Sequence, residues 1–98
     1  MTKETECIVK AIQAIPPGRV SSYRDLALTA GLRNGARQVA RVLHTVSQSC
    51  RLPWYRVVKA DGGIALRGAE RELQIALLRA EGVEVTDGGY VDIKRYAV

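Results

Sequence analysis

Apolar positions along the chain fall into a helical rhythm in three stretches. Cys7, Ile8, Ala11, Ile12 and Ile15 form a 3.6-residue stripe that predicts a helix over residues 3–14. Thr2 is placed to cap it, and Pro16-Pro17-Gly18 stops it. Val20 follows, then Ser21 and Ser22, and a serine there N-caps a helix through Tyr23, Leu26, Ala27 and Thr29 that Gly31 ends. A third helix starts near Asn34 or Gly35 and runs to about Ser47, with Ala36, Val39, Ala40, Leu43 and Val46 inward. Arg37, Arg41 and Thr45, spaced four apart, share its outer face. Two short helices joined through Gly31-Leu32-Arg33-Asn34-Gly35 suggest a helix-turn-helix, though the connection is a little long.

The second half is more broken. Pro53 to Lys59 reads as extended, Asp61-Gly62-Gly63 as a turn, and Ile64, Ala65 and Leu66 as the return strand of a small hairpin or wing. Ala69 to Glu81 reads as a charged helix with Leu73, Ala76, Leu77 and Ala80 inward and Gly82 at its end. Asp87-Gly88-Gly89 is a further turn, followed by a short strand of Tyr90, Val91 and Ile93. The expected fold is mainly α with a small β hairpin, a winged helix-turn-helix in one domain over residues 1–98.

Charge sharpens this picture. The chain carries +5 overall, but Ile15 to Arg67 alone holds nine basic and two acidic residues, a segment charge of +7. Eleven of the whole chain's fifteen basic residues are Arg, whose planar fork suits phosphates and base edges. A basic centre of this kind is the footprint of a polyanion-binding surface. No stretch is long and apolar enough for a membrane span or a secretory signal, and the two cysteines, Cys7 and Cys50, lack metal-site spacing. The expectation is a cytoplasmic protein with reduced thiols and no membrane association.

Reactive chemistry is sparse. The one histidine, His44, falls on the outer helix, where a polar surface role is simpler than catalysis. Cys7 and Cys50 read as small buried apolar residues. No phosphate-cradling glycine loop, metal cage or cofactor motif is present, so no cofactor or metal is expected.

Pro53-Trp54-Tyr55-Arg56-Val57-Val58 changes the argument. It resembles the active-site signature of the O6-alkylguanine-DNA alkyltransferases, Pro-Cys-His-Arg-Val-Val, with Trp54 where that family keeps its alkyl-accepting Cys. That replacement marks the alkyltransferase-like proteins. Ile15 to Tyr23, Ala36-Arg37-Gln38-Val39 and Leu77 to Gly82 are similar to the family's opening, recognition-helix and closing motifs, in order and at family spacing. The resemblance implies the fold of the transferases' C-terminal domain and a protein that binds O6-alkylguanine in duplex DNA. Binding would proceed through the minor groove by base flipping, without alkyl transfer. It also implies hand-off to nucleotide-excision repair proteins, competition with true alkyltransferases, and action as a monomer, nucleoid-associated in a bacterium.

Residue by residue, Arg37 matches the finger that fills the vacated base stack, the alternative being one more phosphate contact. Tyr23 matches the residue that crowds the target phosphate, the alternative being a buried helix anchor. Trp54 walls the lesion pocket, with Val57 and Val58 offering main-chain groups to the base and Arg67 reaching its O6 edge. Tyr55, which replaces the family His, belongs to the same pocket. Arg56 supports the pocket, and Glu81, the acidic member of the transferases' relay, keeps only a structural task. Ser21, Ser22, Gly35, Ala36, Arg41 and Thr45 are the expected DNA-backbone contacts. Two other functions compete: a winged-helix regulator without lesion preference, and a residual transferase using Cys50.

Overall fold

Thr2 opens the first helix through its hydroxyl, which accepts the Thr5 amide at 3.1 Å. Glu4 and Glu6 lie in the first turn, where the helix dipole favours negative charge. The computed structural model describes residues 2–98, except for the side chains of 47 and 48. In it α1 spans Lys3–Gln13, burying Ile8, Val9 and Ile12, and stops ahead of the two prolines. After the two-residue strand β1 (Ser21–Ser22), Ser22 Oγ accepts the Asp25 amide at 3.0 Å and starts α2 (Tyr23–Thr29). The helix α3 (Ala36–Cys50) follows.

Gly35 sets how closely α2 and α3 meet. A Cβ there would lie 2.8 Å from Leu32 Cβ and 3.1 Å from Ala27 Cβ, so only glycine fits without a shift. The helix α3 runs past the expected end near Ser47 to Cys50. Its buried face is Val39 and Val42, while Ala40, expected inside, is exposed. The larger apolar side chains take the core and leave the alanine outside.

The expected extended segment after Pro53 is first a single 3-10 turn, Trp54–Arg56, and only then a strand, β2 (Val57–Val58). The small sheet is not a hairpin. The strand β2 pairs in parallel with β1, Ser21 opposite Val57 and Ser22 opposite Val58. A turn does close at Lys59, whose amide donates to Gly63 O at 2.8 Å, but Ile64 then donates to Gly89 O at 2.9 Å. The segment 64–66 therefore leans on the 89–91 stretch and forms no strand of its own.

The helix α4 spans Gly68–Ala80 and buries Gln74, Ile75 and Leu78. Leu73, Ala76 and Ala80, expected inward, are exposed. A polar residue on the inner face, Gln74, hides the true stripe. The end of α4 matches expectation: Gly82 has φ +87°, and the Val83 amide returns to Leu78 O at 3.0 Å. The expected last strand is replaced by α5 (Ile93–Tyr96), capped by Asp92, with Val91 bridging Val85 beside it. The C-terminal residues close on Val20, whose amide donates to Tyr96 O and whose carbonyl accepts from Val98.

Two buried clusters result. One joins α1, α2, α3, Leu52 and Val57. The other joins Val20, Val58, Ile75, Leu78, Val83, Val85, Val91 and Tyr96. Adjacent strand residues point to opposite faces, so Val57 and Val58 enter different clusters. Among the described residues, no helix is long and apolar enough to cross a membrane.

Candidate nucleic-acid interface

The outer face of α3 presents Arg37, Arg41 and Thr45, all exposed. The Thr45 hydroxyl donates to Arg41 O at 2.9 Å, so it is turned onto its own helix. Beside this face opens a cleft of about 1410 Å³. Its lining includes three arginines, Arg24 from α2, Arg37 from α3 and Arg51 just after α3, with Ala36, Ala40, Leu43 and His44 of α3 between them. Ala60, Ala65, Leu66 and Leu73 add apolar surface to the same cleft, joined by Lys59 and Glu70. Tyr23 and Trp54 also line it. The arginines draw a polyanion to the cleft, and its aromatic and aliphatic lining offers apolar surface to a flat group. Burial pushes the Tyr23 phenol above its ordinary pKa, so it stays a neutral donor.

Trp54 stands on a turn held from behind. Its ring meets Tyr55 edge to face, with centroids 5.9 Å apart at 89°. Gln74 donates its amide to Tyr55 O at 3.1 Å and to Val57 O at 3.0 Å. Both bonds need the NH₂ group, which fixes the amide's orientation and leaves the buried Oε1 without a partner among the described residues.

Glu81 gathers a second set of bonds. It accepts from Tyr55 OH at 2.7 Å, from Arg56 Nε at 3.0 Å and Nη2 at 2.5 Å, and from the Gly18 amide at 3.0 Å. Arg56 Nη1 also donates to Ile15 O at 2.9 Å. The Arg56 hydrogen bonds above all, then those from Gly18 and Tyr55, outweigh burial and hold the Glu81 carboxyl at a pKa of about 2. Burial and the bond to Glu81 raise that of Tyr55. The network ties the Trp54 turn, the end of α4 and the turn after α1 into one support.

Of the expected site residues, the structure brings Tyr23, Ala36, Arg37, Thr45 and Trp54 to the cleft wall. Arg41 lies one turn along α3, exposed outside that wall. Arg67 is exposed at the N-cap of α4, also outside it. Three expected pocket residues lie behind the cleft instead: the Tyr55 hydroxyl is spent on Glu81, and Val57 and Val58, expected to offer main-chain groups, have their side chains in the two cores. Val57 and Val58 are buried as whole residues, and neither lines the cleft. Ser22 is buried with its hydroxyl spent on the α2 cap, so it offers no backbone contact; Ser21 is half-buried in β1. Gly35 is buried against Ala27 and Leu32 rather than presented outward. The sequence reading missed Arg24, Arg51, Leu73 and Gln74. Arg24 was findable from its place beside Tyr23, whereas the other three depend on helix phase and backbone conformation.

The family model described as the DNA-binding domain of 6-O-methylguanine DNA methyltransferase matches residues 4–83. A DNA base-flipping protein of Vibrio parahaemolyticus is 37% identical over 89 residues, which span 91% of this chain and 89% of that protein. The DNA base-flipping protein of Escherichia coli is 44% identical over 85 residues, 87% of this chain and 66% of that protein. Alkyltransferase-like protein 1 of Schizosaccharomyces pombe is 34% identical over 80 residues, 80% of this chain and 74% of that protein. The crystal structure of S. pombe Atl1 in complex with damaged DNA containing O6-carboxymethylguanine superposes with a TM-score of 0.87 at 30% identity, covering 100% of this chain and 96% of that one.

Proposed function

Because the chain belongs to the family of the 6-O-methylguanine DNA methyltransferase DNA-binding domain, and to its alkyltransferase-like branch, we propose that it binds O6-alkylguanine in duplex DNA by flipping the base into the Trp54 cleft, without transferring the alkyl group. The observation that carries the reading is Trp54 itself. It lines the cleft on a braced turn, at the position where the transferase signature has Cys. An indole has no lone pair suited to displacement at an alkyl carbon, so the lesion is held and not repaired.

The chain's own residues supply the steps. The face of α3 approaches the minor groove, with Arg41 on the phosphates and the first turn of α3, from Ala36, against the backbone. Arg37 enters the stack in place of the extruded base. Flipping costs a few kcal/mol of stacking and pairing, part of which a planar cation recovers. Tyr23 crowds the turned nucleotide. Trp54 and the aliphatic wall take the base and its alkyl group, main-chain groups around Val57 and Val58 meet the base edge, and Arg67 reaches the O6 side. We further infer a single-domain monomer of the cytoplasm that needs no cofactor. Its persistent complex flags the lesion for nucleotide-excision repair and keeps true alkyltransferases away.

The test is equilibrium binding to two duplexes that differ by one O6-methylguanine, with the protein's mass measured afterwards. Lesion preference with unchanged mass is expected. Equal binding would leave a basic winged-helix binder and return Trp54 to a packing role, and a methyl mass gain would make the protein a transferase.

A further inference from the structure

Two helices of this chain end on a residue with left-handed backbone, and both use glycine there: Gly31 after α2 at φ +80°, and Gly82 after α4 at +87°. The helix α3 is followed by the same conformation at φ +50°, but the residue is Arg51. Of the described positions with positive φ, six are glycine and one is Asn34, the side chain that best tolerates the region. Arg51 alone carries the steric cost of a long side chain there, a cost glycine would remove.

What the side chain does offsets that cost. Arg51 is exposed and lines the cleft. Its neighbour Leu52 is 4% exposed, fixed in the core, and the Trp54 amide donates to Leu52 O at 2.8 Å. The backbone from Arg51 to Trp54 is thus pinned, which holds Arg51 at the rim of the cleft three residues before the indole. The guanidinium forms no ion pair or hydrogen bond among the described residues. A permanently charged fork, unengaged among the described residues and lining the same cleft as the indole, suits the phosphate next to an extruded nucleotide, which rotates toward the pocket mouth as the base leaves the stack.

We propose that Arg51 is kept in a glycine-type position because it clamps the phosphate flanking the flipped nucleotide. The proposal rests on the lesion-binding reading above and adds a residue to it. It separates Arg51 from Arg41, which lies on the helix face and meets the duplex whether or not a base is flipped, and from Arg37, which fills the vacated stack rather than holding a phosphate.

The experiment compares the parent with Arg51→Gly and Arg51→Gln on an O6-methylguanine duplex and its undamaged twin, across a salt titration, alongside thermal unfolding. Arg51→Gly relieves the backbone, so its Tm is expected to hold or rise by up to about 5 °C. Its affinity for the lesion duplex should fall roughly tenfold, and the log–log salt slope should shrink by about 0.9, the value for one phosphate. The undamaged duplex should lose distinctly less. Arg51→Gln, which keeps the strain and loses the charge, should lose lesion affinity similarly with no gain in Tm. Unchanged lesion affinity in both variants, or an equal loss on both duplexes, would overturn the clamp. A lowered Tm for Arg51→Gly would overturn the strain argument. If the parent itself binds the two duplexes equally, the lesion-binding reading fails and takes the clamp with it. Lesion preference in the parent with indifferent Arg51 variants removes the clamp alone.

Discussion

The Arg56 guanidinium meets the Glu81 carboxylate side-on, Nε to Oε1 at 3.0 Å and Nη2 to Oε2 at 2.5 Å, with the two side chains only 12% and 16% exposed. Such a fork-on-carboxylate pair is the stronger kind of charge-assisted bond. Here it spans from the turn that carries Trp54 to the end of α4.

Glu81→Gln should therefore destabilise the fold by about 2 kcal/mol near neutral pH, since it removes the charge on which four donors converge. The pH dependence follows from the lowered pKa. The carboxylate's contribution is complete above the ordinary value of 4.5 and is lost as pH falls toward about 2. In urea unfolding, the gap between parent and Glu81→Gln should narrow through that window. A gap that stays constant would deny the ion pair its role.

Gln74→Leu keeps the volume but leaves Tyr55 O and Val57 O without their side-chain donor. Roughly 2 kcal/mol of stability should go, softened by removal of the unpartnered Oε1. Trp54 is the only tryptophan, so its emission should report loosening of the turn. An unchanged midpoint and spectrum would show the brace to be dispensable.

Gly35→Ala places a methyl group 2.8 Å from Leu32 Cβ and should cost about 1–3 kcal/mol by parting α2 from α3. Gly31→Ala has open space but a φ of +80°, and should cost about 1 kcal/mol from the backbone alone. Thermal unfolding of the pair separates crowding from conformational strain.

Arg37→Ala should leave Tm within a degree or two, since the side chain is exposed, yet lower lesion affinity strongly because the vacated stack is left empty. Parental affinity would sink the finger assignment. Arg67→Ala, also exposed, should reduce discrimination among lesions more than overall affinity. A uniform loss would mark a phosphate contact instead.

What could be read in advance was local. Thr2 and Ser22 declare their caps because the hydroxyl and the amide it meets are three residues apart. The signature around Trp54 is likewise contiguous. The partner of Val57–Val58 was not readable: it is Ser21–Ser22, far back in the chain, and two-residue strands carry no alternation to match. The phase of α4 was misread because Gln74 is 2% exposed, held inside by two carbonyls that sequence does not display. Tyr55 sits behind the cleft because Glu81, far along the chain, takes its hydroxyl. Arg51 shows the limit in backbone terms, since nothing in its type announces φ +50°.

The division of Val57 and Val58 between the two clusters bears on cooperativity. Neither half can open without disturbing a peptide unit that the other half also buries. The amides of α1–α3 and of α4 should then exchange with deuterium at a common limiting rate, set by one global opening rather than by two independent subunits of the fold. The cleft lies across that seam, drawing its walls from both halves, and so inherits the stability of the whole molecule.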